Sequence, residues 1–214
     1  MTTHFTVALT AMYLGALGWC LVTAPWRDLA APTRQHGWMG LTVALLLAWT
    51  MRAPAGNGME LHLAGASLAA LMFGARLAAL SLAVVLAVLA FTGRIALEGL
   101  ALQGIAYALL PALLTVAIQR LVEARLPRNV FVYIFVTGFA GTLASNILAT
   151  LAFAGMARLF DASPQAAPSN DYLSYRLLLC WGESMLTGML VAIFVAYRPQ
   201  WMTTFRDEIY LARR

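Results

Sequence analysis

The sequence has very few charged residues, and every cation among them is an arginine. Of its 214 residues only 11% are charged and 62% are hydrophobic, and lysine is absent. A soluble globular domain carries about a quarter of its residues as charges, so this composition excludes that class. The mean hydropathy of +0.78 instead predicts one integral membrane domain, residues 1–214, in contact with membrane lipid.

The missing residue types also exclude several functions. A phosphate-binding loop of the GxxxxGK[ST] type needs a lysine, so the chain has no such ATPase motif. The 14 arginines are dispersed between apolar stretches, which argues against nucleic-acid binding. Cys20 and Cys180 lie in apolar stretches without CxxC spacing, so neither a disulfide framework nor a zinc ribbon is expected. No residue set with catalytic spacing indicates an enzyme.

Apolar stretches predict an all-α bundle of about seven transmembrane helices. Residues 61–92 are too long for one span, and we divide them at Phe73-Gly74-Ala75-Arg76. Pro111 should kink the fifth span unless neighbouring helices satisfy the freed carbonyl. In the alternative of six spans, residues 61–92 form a re-entrant hairpin. The seven spans cover residues 5–24, 38–51, the two halves of 61–92, 95–118, 130–157 and 177–197.

The arginines predict the orientation of this bundle, because short cytoplasmic loops are enriched in basic residues. If the N-terminus lies outside, ten of the 14 arginines fall on the cytoplasmic side and four outside. We therefore expect a multi-pass protein of the inner (cytoplasmic) membrane with an external N-terminus and a cytoplasmic C-terminus. The four external arginines are Arg52, Arg94, Arg158 and Arg176.

Two of the three histidines, His4 and His62, fall on the same external side and are candidate metal ligands. An N-terminal amine, backbone amides and an imidazole form a square-planar chelate that suits Ni(II) or Cu(II). If Met1 is removed, the chain begins Thr2-Thr3-His4, and a histidine at position three closes fused chelate rings. His62 completes or caps this set, and Met59 adds a thioether suited to copper. Alternatively, His4 is a polar residue of a free terminus and His62 bonds backbone at a helix end.

Other polar residues within the predicted spans need partners, because ionisable groups are costly in hydrocarbon. Glu183 in the seventh span either serves as a metal or proton relay or pairs with a neighbouring amide or hydroxyl, such as Asn146. Ser145 and Asn146 are expected to form hydrogen bonds between helices.

Two segments resemble the CbiM/NikM proteins, the substrate-binding membrane components of energy-coupling-factor cobalt and nickel importers of the ABC transporter class. Residues 59–74 read MELHLAGASLAALMFG and are similar to the family's histidine-containing segment. Residues 93–111 read GRIALEGLALQGIAYALLP and are similar to its glycine-rich segment, which ends in proline. In that family the N-terminal amine, the adjacent backbone and a nearby histidine enclose the metal with the later histidine. The resemblance therefore implies His62 directly and His4 by analogy, because Thr2 and Thr3 intervene.

The resemblance implies a permease that captures a transition metal ion, nickel, cobalt or possibly copper, at the external face. It also implies separate ATPase and transmembrane coupling subunits as partners, which would supply the energy. Two alternatives remain open from the residues. One is a structural or assembly subunit that keeps the fold without transport, and the other is a membrane metal sensor or chaperone.

Overall fold

The computed structural model describes residues 3–54, 60–159, 170–205 and 210, and gives no side-chain description for 3–5, 98 and 157–159. The described chain is an all-α bundle with one small hairpin of strands β1 and β2, Ala53–Pro54 and Glu60–Leu61. A short 3-10 turn at Trp26–Ala30 connects the first two helices, and another at Pro199–Trp201 follows the last one. The helices are α1 Thr3–Thr23, α2 Pro32–Thr50, α3 Ala66–Phe91, α4 Leu97–Gln103, α5 Leu110–Arg125, α6 Thr142–Leu159 and α7 Asn170–Tyr197.

The described residues contain five helices that are long and apolar enough to cross a membrane, and α2 is a sixth long helix. The five are Thr6–Thr23, Ala66–Phe91, Gly99–Arg125, Val132–Met156 and Asn170–Tyr197. The fourth of them starts with a π-helical segment, Val132–Gly141, that leads into α6. The prediction of a multi-pass helical membrane protein is confirmed at this level, whereas the number of crossings and their orientation stay predictions. Several bounds differ from the sequence prediction: α2 begins earlier, at Pro32, α3 begins later, at Ala66, α5 continues to Arg125, and α7 begins at Asn170.

Helix α3 reverses its direction at Gly74, inside the segment where the sequence predicts a division. Gly74 has φ 81° and ψ 160°, a backbone conformation that is essentially restricted to glycine. Before it, Phe73 lies beside Gly37 of α2, and Ala64 accepts a hydrogen bond from the Trp49 indole at 3.0 Å. After it, the Trp38 indole bonds Leu77 and Thr42 bonds Ser81. The first half of α3 therefore runs antiparallel to α2, and the second half runs parallel to it.

These contacts define two ends of the bundle. The histidine end contains the end of α2 at Trp49, the start of α3 after His62, and Tyr107 and Arg176. The arginine end contains the end of α1 at Thr23, whose carbonyl accepts a bond from Arg76 at 2.8 Å, together with Arg34 and Thr203, which are 2.7 Å apart. Because α1 ends at Thr23, its first residues lie towards the histidine end.

A π-helical segment, Gly104–Leu109, joins α4 to α5. It lies just before Pro111, the residue at which the sequence predicts a kink. Pro111 lies in the first turn of α5, where its missing N–H leaves a carbonyl of the preceding turn without a helical partner. The wider turn of the π-helix accommodates this defect. Gly104 opens the segment, and a side chain there would collide with the ring of Tyr13 on α1. The glycine therefore permits close packing of α1 on this segment.

Buried hydroxyls join three helices at the centre of the bundle. Thr115 of α5 lies 2.9 Å from the Ser67 hydroxyl and 2.8 Å from the Ser145 hydroxyl. Ser67 also donates to the side-chain oxygen of Asn146 at 3.3 Å. The predicted interhelical hydrogen bonds of Ser145 and Asn146 are confirmed by these contacts.

The chain after α7 forms a C-terminal strap, residues 199–205, against the end of the first half of α3. The Thr203 N–H and the Thr204 hydroxyl donate to the carbonyls of Met72 and Leu71, each at 2.8 Å. These carbonyls lie at a helix end and lack intrahelical partners there. The strap therefore caps the first half of α3 at the arginine end.

Candidate metal site

His62 occupies a short segment without regular secondary structure between strand β2 and helix α3. The hairpin before it is held by pairing of Ala53 with Leu61 and by an ion pair of Arg52 with Glu60 at 2.8 Å. The side chain of His62 is only 6% exposed. This histidine is therefore enclosed at the histidine end of the bundle, outside the long helices.

Aromatic rings surround the His62 imidazole. The Trp49 ring lies 4.1 Å away between centroids, and the Tyr107 ring meets it edge-on at 5.4 Å. Nδ1 of His62 lies 3.4 Å from the carbonyl oxygen of Leu63. In the tautomer that carries its proton on Nδ1, the ring is oriented by this carbonyl and Nε2 keeps a free lone pair. Nε2 is then the nitrogen available to a metal.

The backbone around His62 is held by two residues of α7. The Arg176 guanidinium donates to the His62 carbonyl at 3.0 Å. The Glu183 carboxylate accepts from the N–H groups of Ala64 and Gly65, at 3.2 and 2.8 Å. Glu183 thus caps the N-terminus of α3, where unpaired N–H groups and the helix dipole favour an anion. The described contacts of Glu183 are these backbone bonds, so its proposed alternative pairing with Asn146 is not seen.

Gly65 is needed at this turn for two reasons. Its φ of 65° places it in the left-handed region, and a Cβ there would collide with Leu45 of α2. The turn brings two successive N–H groups towards Glu183. A glycine in the sequence motif therefore has a direct geometric role beside His62.

The sequence prediction for Arg176 is wrong in one respect, because this residue lies within α7 and not in an external loop. It is 3% exposed, and its guanidinium lies 5.0 Å from the centroid of the Tyr107 ring. The Tyr107 hydroxyl lies 2.5 Å from that of Tyr172. The described contacts of the guanidinium are thus the carbonyl of His62 and the face of the Tyr107 ring.

Burial, followed by the charges of Arg176 and Arg52, lowers the pKa of His62 from 6.5 to about 3. The imidazole is therefore neutral at physiological pH. A neutral imidazole is the form that binds transition metals.

A cavity of about 770 Å³ opens beside His62 between the ends of α2 and α7. Its wall includes Met51, Arg52, Tyr175, Leu178 and Gly182. Its volume far exceeds that of a bare metal ion. The cavity gives the region around His62 a path to the exterior of the bundle.

The other predicted ligands are not brought together by the described structure. Thr3 and His4 open α1, but their side chains lie outside the description, and Thr2 and Met59 lie outside the described residues altogether. Among the residues that are described, no group of three His, Cys, Asp or Glu side chains could hold a metal ion. Trp49, Tyr107 and Arg176 were missed as neighbours of His62, since only the fold places them there.

The fold and this site define a helical membrane protein with an enclosed, neutral histidine at one end of its bundle. The family model described as the cobalt uptake substrate-specific transmembrane region, CbiM, matches residues 2–201. The chain belongs to this family, as its histidine and glycine-rich segments predicted. The protein is accordingly a membrane component of a metal-uptake family.

Solved structures agree with this fold. One, described as a transition metal transporter, has a TM-score of 0.67 at 17% identity and covers 92% of this chain and 90% of its own. A second, a truncated transition metal transporter, has a TM-score of 0.68 at 18% identity and covers 92% and 96%. At such identities the likeness concerns the fold alone. No curated protein matches the chain.

Proposed function

We propose that this chain is the metal-binding permease component of an energy-coupling-factor importer for nickel, cobalt or copper ions. The metal is the substrate, and His62 is its principal side-chain ligand. The segment Thr2, Thr3 and His4 supplies backbone and imidazole nitrogens, and Met59 is an auxiliary thioether. The family membership supports metal transport, and the choice among these metals belongs to this proposal.

One observation carries the assignment of His62. Its imidazole is neutral and enclosed by aromatic rings, its Nδ1 faces the Leu63 carbonyl, and its backbone is held by Arg176 and Glu183. A metal ligand needs this kind of outer support, because hydrogen bonds to the first ligands orient them and tune their basicity. The start of α1, which carries His4, lies towards the same end of the bundle.

We also propose a topology of seven passes with the histidine end outside. The reversal at Gly74 supports it, since the two halves of α3 run in opposite directions along α2. The arginine end carries Arg34, Arg76 and the basic loop after α5. This excess of arginines supports a cytoplasmic location for the arginine end.

The chain would then work with separate ATPase and coupling subunits at its cytoplasmic face. It has no phosphate-binding loop, so the energy for uptake comes from those partners. The loop with Arg120, Arg125 and Arg128, next to a cavity of about 630 Å³ at the arginine end, offers a docking surface. Co-purification with an ATPase would support this, and stable association with other partners alone would favour an assembly subunit.

The metal content of the purified protein tests the function. Protein expressed with added nickel, cobalt or copper should retain about one ion per chain, and His62→Ala should lose most of it. His36→Ala is the matched control, because His36 is an exposed histidine on α2 and its removal should leave the metal content unchanged. Equal metal content in His62→Ala and His36→Ala would refute the assignment.

The contribution of the N-terminal segment needs its own variants. His4→Ala should weaken binding, while Met59→Leu should weaken copper binding more than nickel binding because a thioether favours the softer ion. The intact mass of the same sample reports whether Met1 is retained. If the mass includes Met1 and His4→Ala binds normally, the chelate that begins at Thr2 is wrong.

A further inference from the structure

The cavity of about 630 Å³ at the arginine end lies between the last part of α1, the reversal of α3 and the last turns of α5. Its wall contains two arginines, Arg76 and Arg120, and both are exposed. The strap contributes Thr203 and Thr204 to the same wall. Because the cavity is at the end of the bundle opposite His62, it is separate from the candidate metal site.

The Arg76 guanidinium is held in place at this cavity without meeting an anion. Its Nη1 donates to the carbonyl of Thr23 at 2.8 Å, and its Cζ lies 4.9 Å from the centroid of the Trp19 ring. A carbonyl and an aromatic face orient a cation but leave its charge in place. Arg76 therefore presents a positioned positive charge to the cavity.

The second arginine leaves the cavity with an excess of positive charge. Arg120 forms no hydrogen bond or ion pair with any described residue. One carboxylate, that of Glu123, lies in the same wall and accepts a hydrogen bond from the Tyr210 hydroxyl at 2.6 Å. Two arginines against one glutamate give the wall a net charge of about +1, which favours an anionic ligand.

An apolar stripe on α5 leads from Arg120 towards the middle of the bundle. Leu113, Val116 and Ala117 line the cavity together with Arg120, and residues at these spacings share one face of a helix. The stripe is about 10 Å long, at a rise of 1.5 Å per residue. The side chain of Leu113 is 50% exposed. The groove is therefore basic at the arginine end and apolar towards the membrane interior.

We propose that this cavity binds an anionic phospholipid, with the phosphate at Arg76 and Arg120 and an acyl chain along the apolar stripe of α5. Basic pockets between transmembrane helices bind anionic lipid headgroups, and the polarity of the groove matches that of a lipid in the adjacent leaflet. A free phosphate satisfies the arginines but leaves the stripe uncovered. The bound lipid joins α1, α3 and α5 beside the reversal at Gly74, and its binding is independent of metal transport.

The test measures lipid binding to delipidated full-length protein in a neutral detergent by native mass spectrometry. Phosphatidylglycerol should bind more tightly than phosphatidylcholine with the same acyl chains, and each arginine should contribute about fivefold to this preference. Arg76→Gln combined with Arg120→Gln should abolish the preference. Arg76→Lys combined with Arg120→Lys keeps both charges and should retain most of it.

Two other arginines provide the matched control. Arg125 and Arg128 are exposed and close to the cavity in sequence, but they are not part of its wall. Arg125→Gln combined with Arg128→Gln removes the same charge and should leave most of the preference for phosphatidylglycerol intact.

The apolar half of the site needs its own variant. Ala117→Phe places a ring in the groove and should weaken the binding of both lipids. Leu121→Phe should not, because Leu121 is an exposed residue of α5 outside the cavity wall. Inorganic phosphate and glycerol 3-phosphate carry the charge without an acyl chain and should not displace phosphatidylglycerol at millimolar concentration.

The proposal is overturned if the wild type binds both lipids equally or if the paired glutamine variant keeps its preference. Displacement by inorganic phosphate also overturns it and indicates a site for a soluble anion. If the glutamine pair leaves lipid binding unchanged but loses co-purifying protein subunits, the cavity is a protein-docking site instead. Cooperative thermal unfolding of the glutamine pair in phosphatidylcholine shows that the fold is retained, and the lysine pair and Ala117→Phe decide the matter if it is not.

Discussion

Arg176 and Glu183 lie seven residues apart on α7 and bind groups of opposite polarity in one peptide segment. The guanidinium donates to the carbonyl of His62, and the carboxylate accepts from the N–H groups of Ala64 and Gly65. Residues seven apart lie on the same face of a helix, about 10 Å apart along its axis. One face of α7 therefore fixes both the position and the direction of the segment that carries the candidate ligand.

Removal of the Glu183 carboxylate should destabilise the start of α3. Glu183→Ala leaves the buried N–H of Ala64 and the partly buried N–H of Gly65 without this acceptor, and we expect a loss of about 1–3 kcal/mol. Glu183→Gln keeps one acceptor and should lose less. Thermal unfolding in detergent measures the effect, with Met185→Ala as a control because Met185 is exposed on the same helix. Equal stability of Glu183→Ala and Met185→Ala would contradict the capping role.

The indole of Trp49 should matter more for metal binding than that of Trp38, although both donate to a backbone carbonyl of the α3 region. Trp49 bonds Ala64 at 3.0 Å beside His62, and Trp38 bonds Leu77 at 3.2 Å near the arginine end. Phenylalanine at either position keeps the aromatic ring and removes the donor. We expect Trp49→Phe to reduce metal affinity severalfold and Trp38→Phe to leave it unchanged, as measured by metal titration. Similar affinities in the two variants would contradict the prediction.

The stability of the metal-free protein should fall as the pH is lowered below about 6.5. Burial first, and then the Arg176 and Arg52 charges, lower the folded pKa of His62 to about 3, from 6.5. Between these values the unfolded chain binds more protons than the folded one, so acid favours unfolding. Thermal unfolding between pH 7.5 and 4 should show a steeper decline for the wild type than for His62→Gln. His36→Gln should keep the wild-type slope, and identical slopes for all three would refute the prediction.

Substitution of Gly74 should disrupt the reversal of α3. Alanine has ample space there, since no atom lies within 4 Å of a Cβ built at this position, but its side chain disfavours φ 81°. We expect Gly74→Ala to cost about 1–3 kcal/mol through backbone strain. Gly40→Ala is the control, because Gly40 lies within α2 in equally open space. Cysteine accessibility at Arg76→Cys would report a change in the path of the chain.

The hydroxyl cluster of Ser67, Thr115 and Ser145 should contribute modestly to the packing of the helices. Ser145 is fully buried and contacts both other hydroxyls. Hydrogen bonds between membrane helices contribute about 0.6 kcal/mol on average, and Ser145→Ala should lose about that amount. Ser174→Ala removes an exposed hydroxyl that bonds only within α7 and should have no measurable effect on thermal unfolding.

The sequence predicts the class of fold well, because span length and composition follow directly from the thickness of the bilayer. It also locates the division of residues 61–92, since Gly74 and Arg76 interrupt an apolar run. It does not reveal that residues 62–65 lack regular secondary structure and that the helix begins only at Ala66. The π-helical segment before Pro111 is likewise hidden, because hydropathy carries no information on hydrogen-bond pattern.

The candidate site is harder to predict, because its supporting residues are distant in sequence. His62 is recognised from its motif, yet Trp49, Tyr107 and Arg176 come from three other elements. Hydropathy assigns Arg176 to a loop, although a carbonyl and an aromatic face stabilise it inside α7. Glu183 attracts a functional interpretation as an ionisable residue in a span, whereas its described contacts are with the backbone at a helix start. The roles of Arg176 and Glu183 therefore follow from the groups that they contact, which residue type alone does not reveal.

The segment from His62 to Phe73 is hydrogen-bonded at both ends to residues that are synthesised much later. Arg176 and Glu183 hold its start from 114 to 119 positions away, and Thr203 and Thr204 cap its far end from 131 to 133 positions away. During synthesis, neither set of hydrogen bonds can form until α7 and the strap have left the ribosome. Contacts of such long sequence separation also carry a larger loop-closure entropy than local ones. The candidate metal site is therefore among the last parts of the molecule to be completed, and a nascent chain that stops before α7 cannot assemble it.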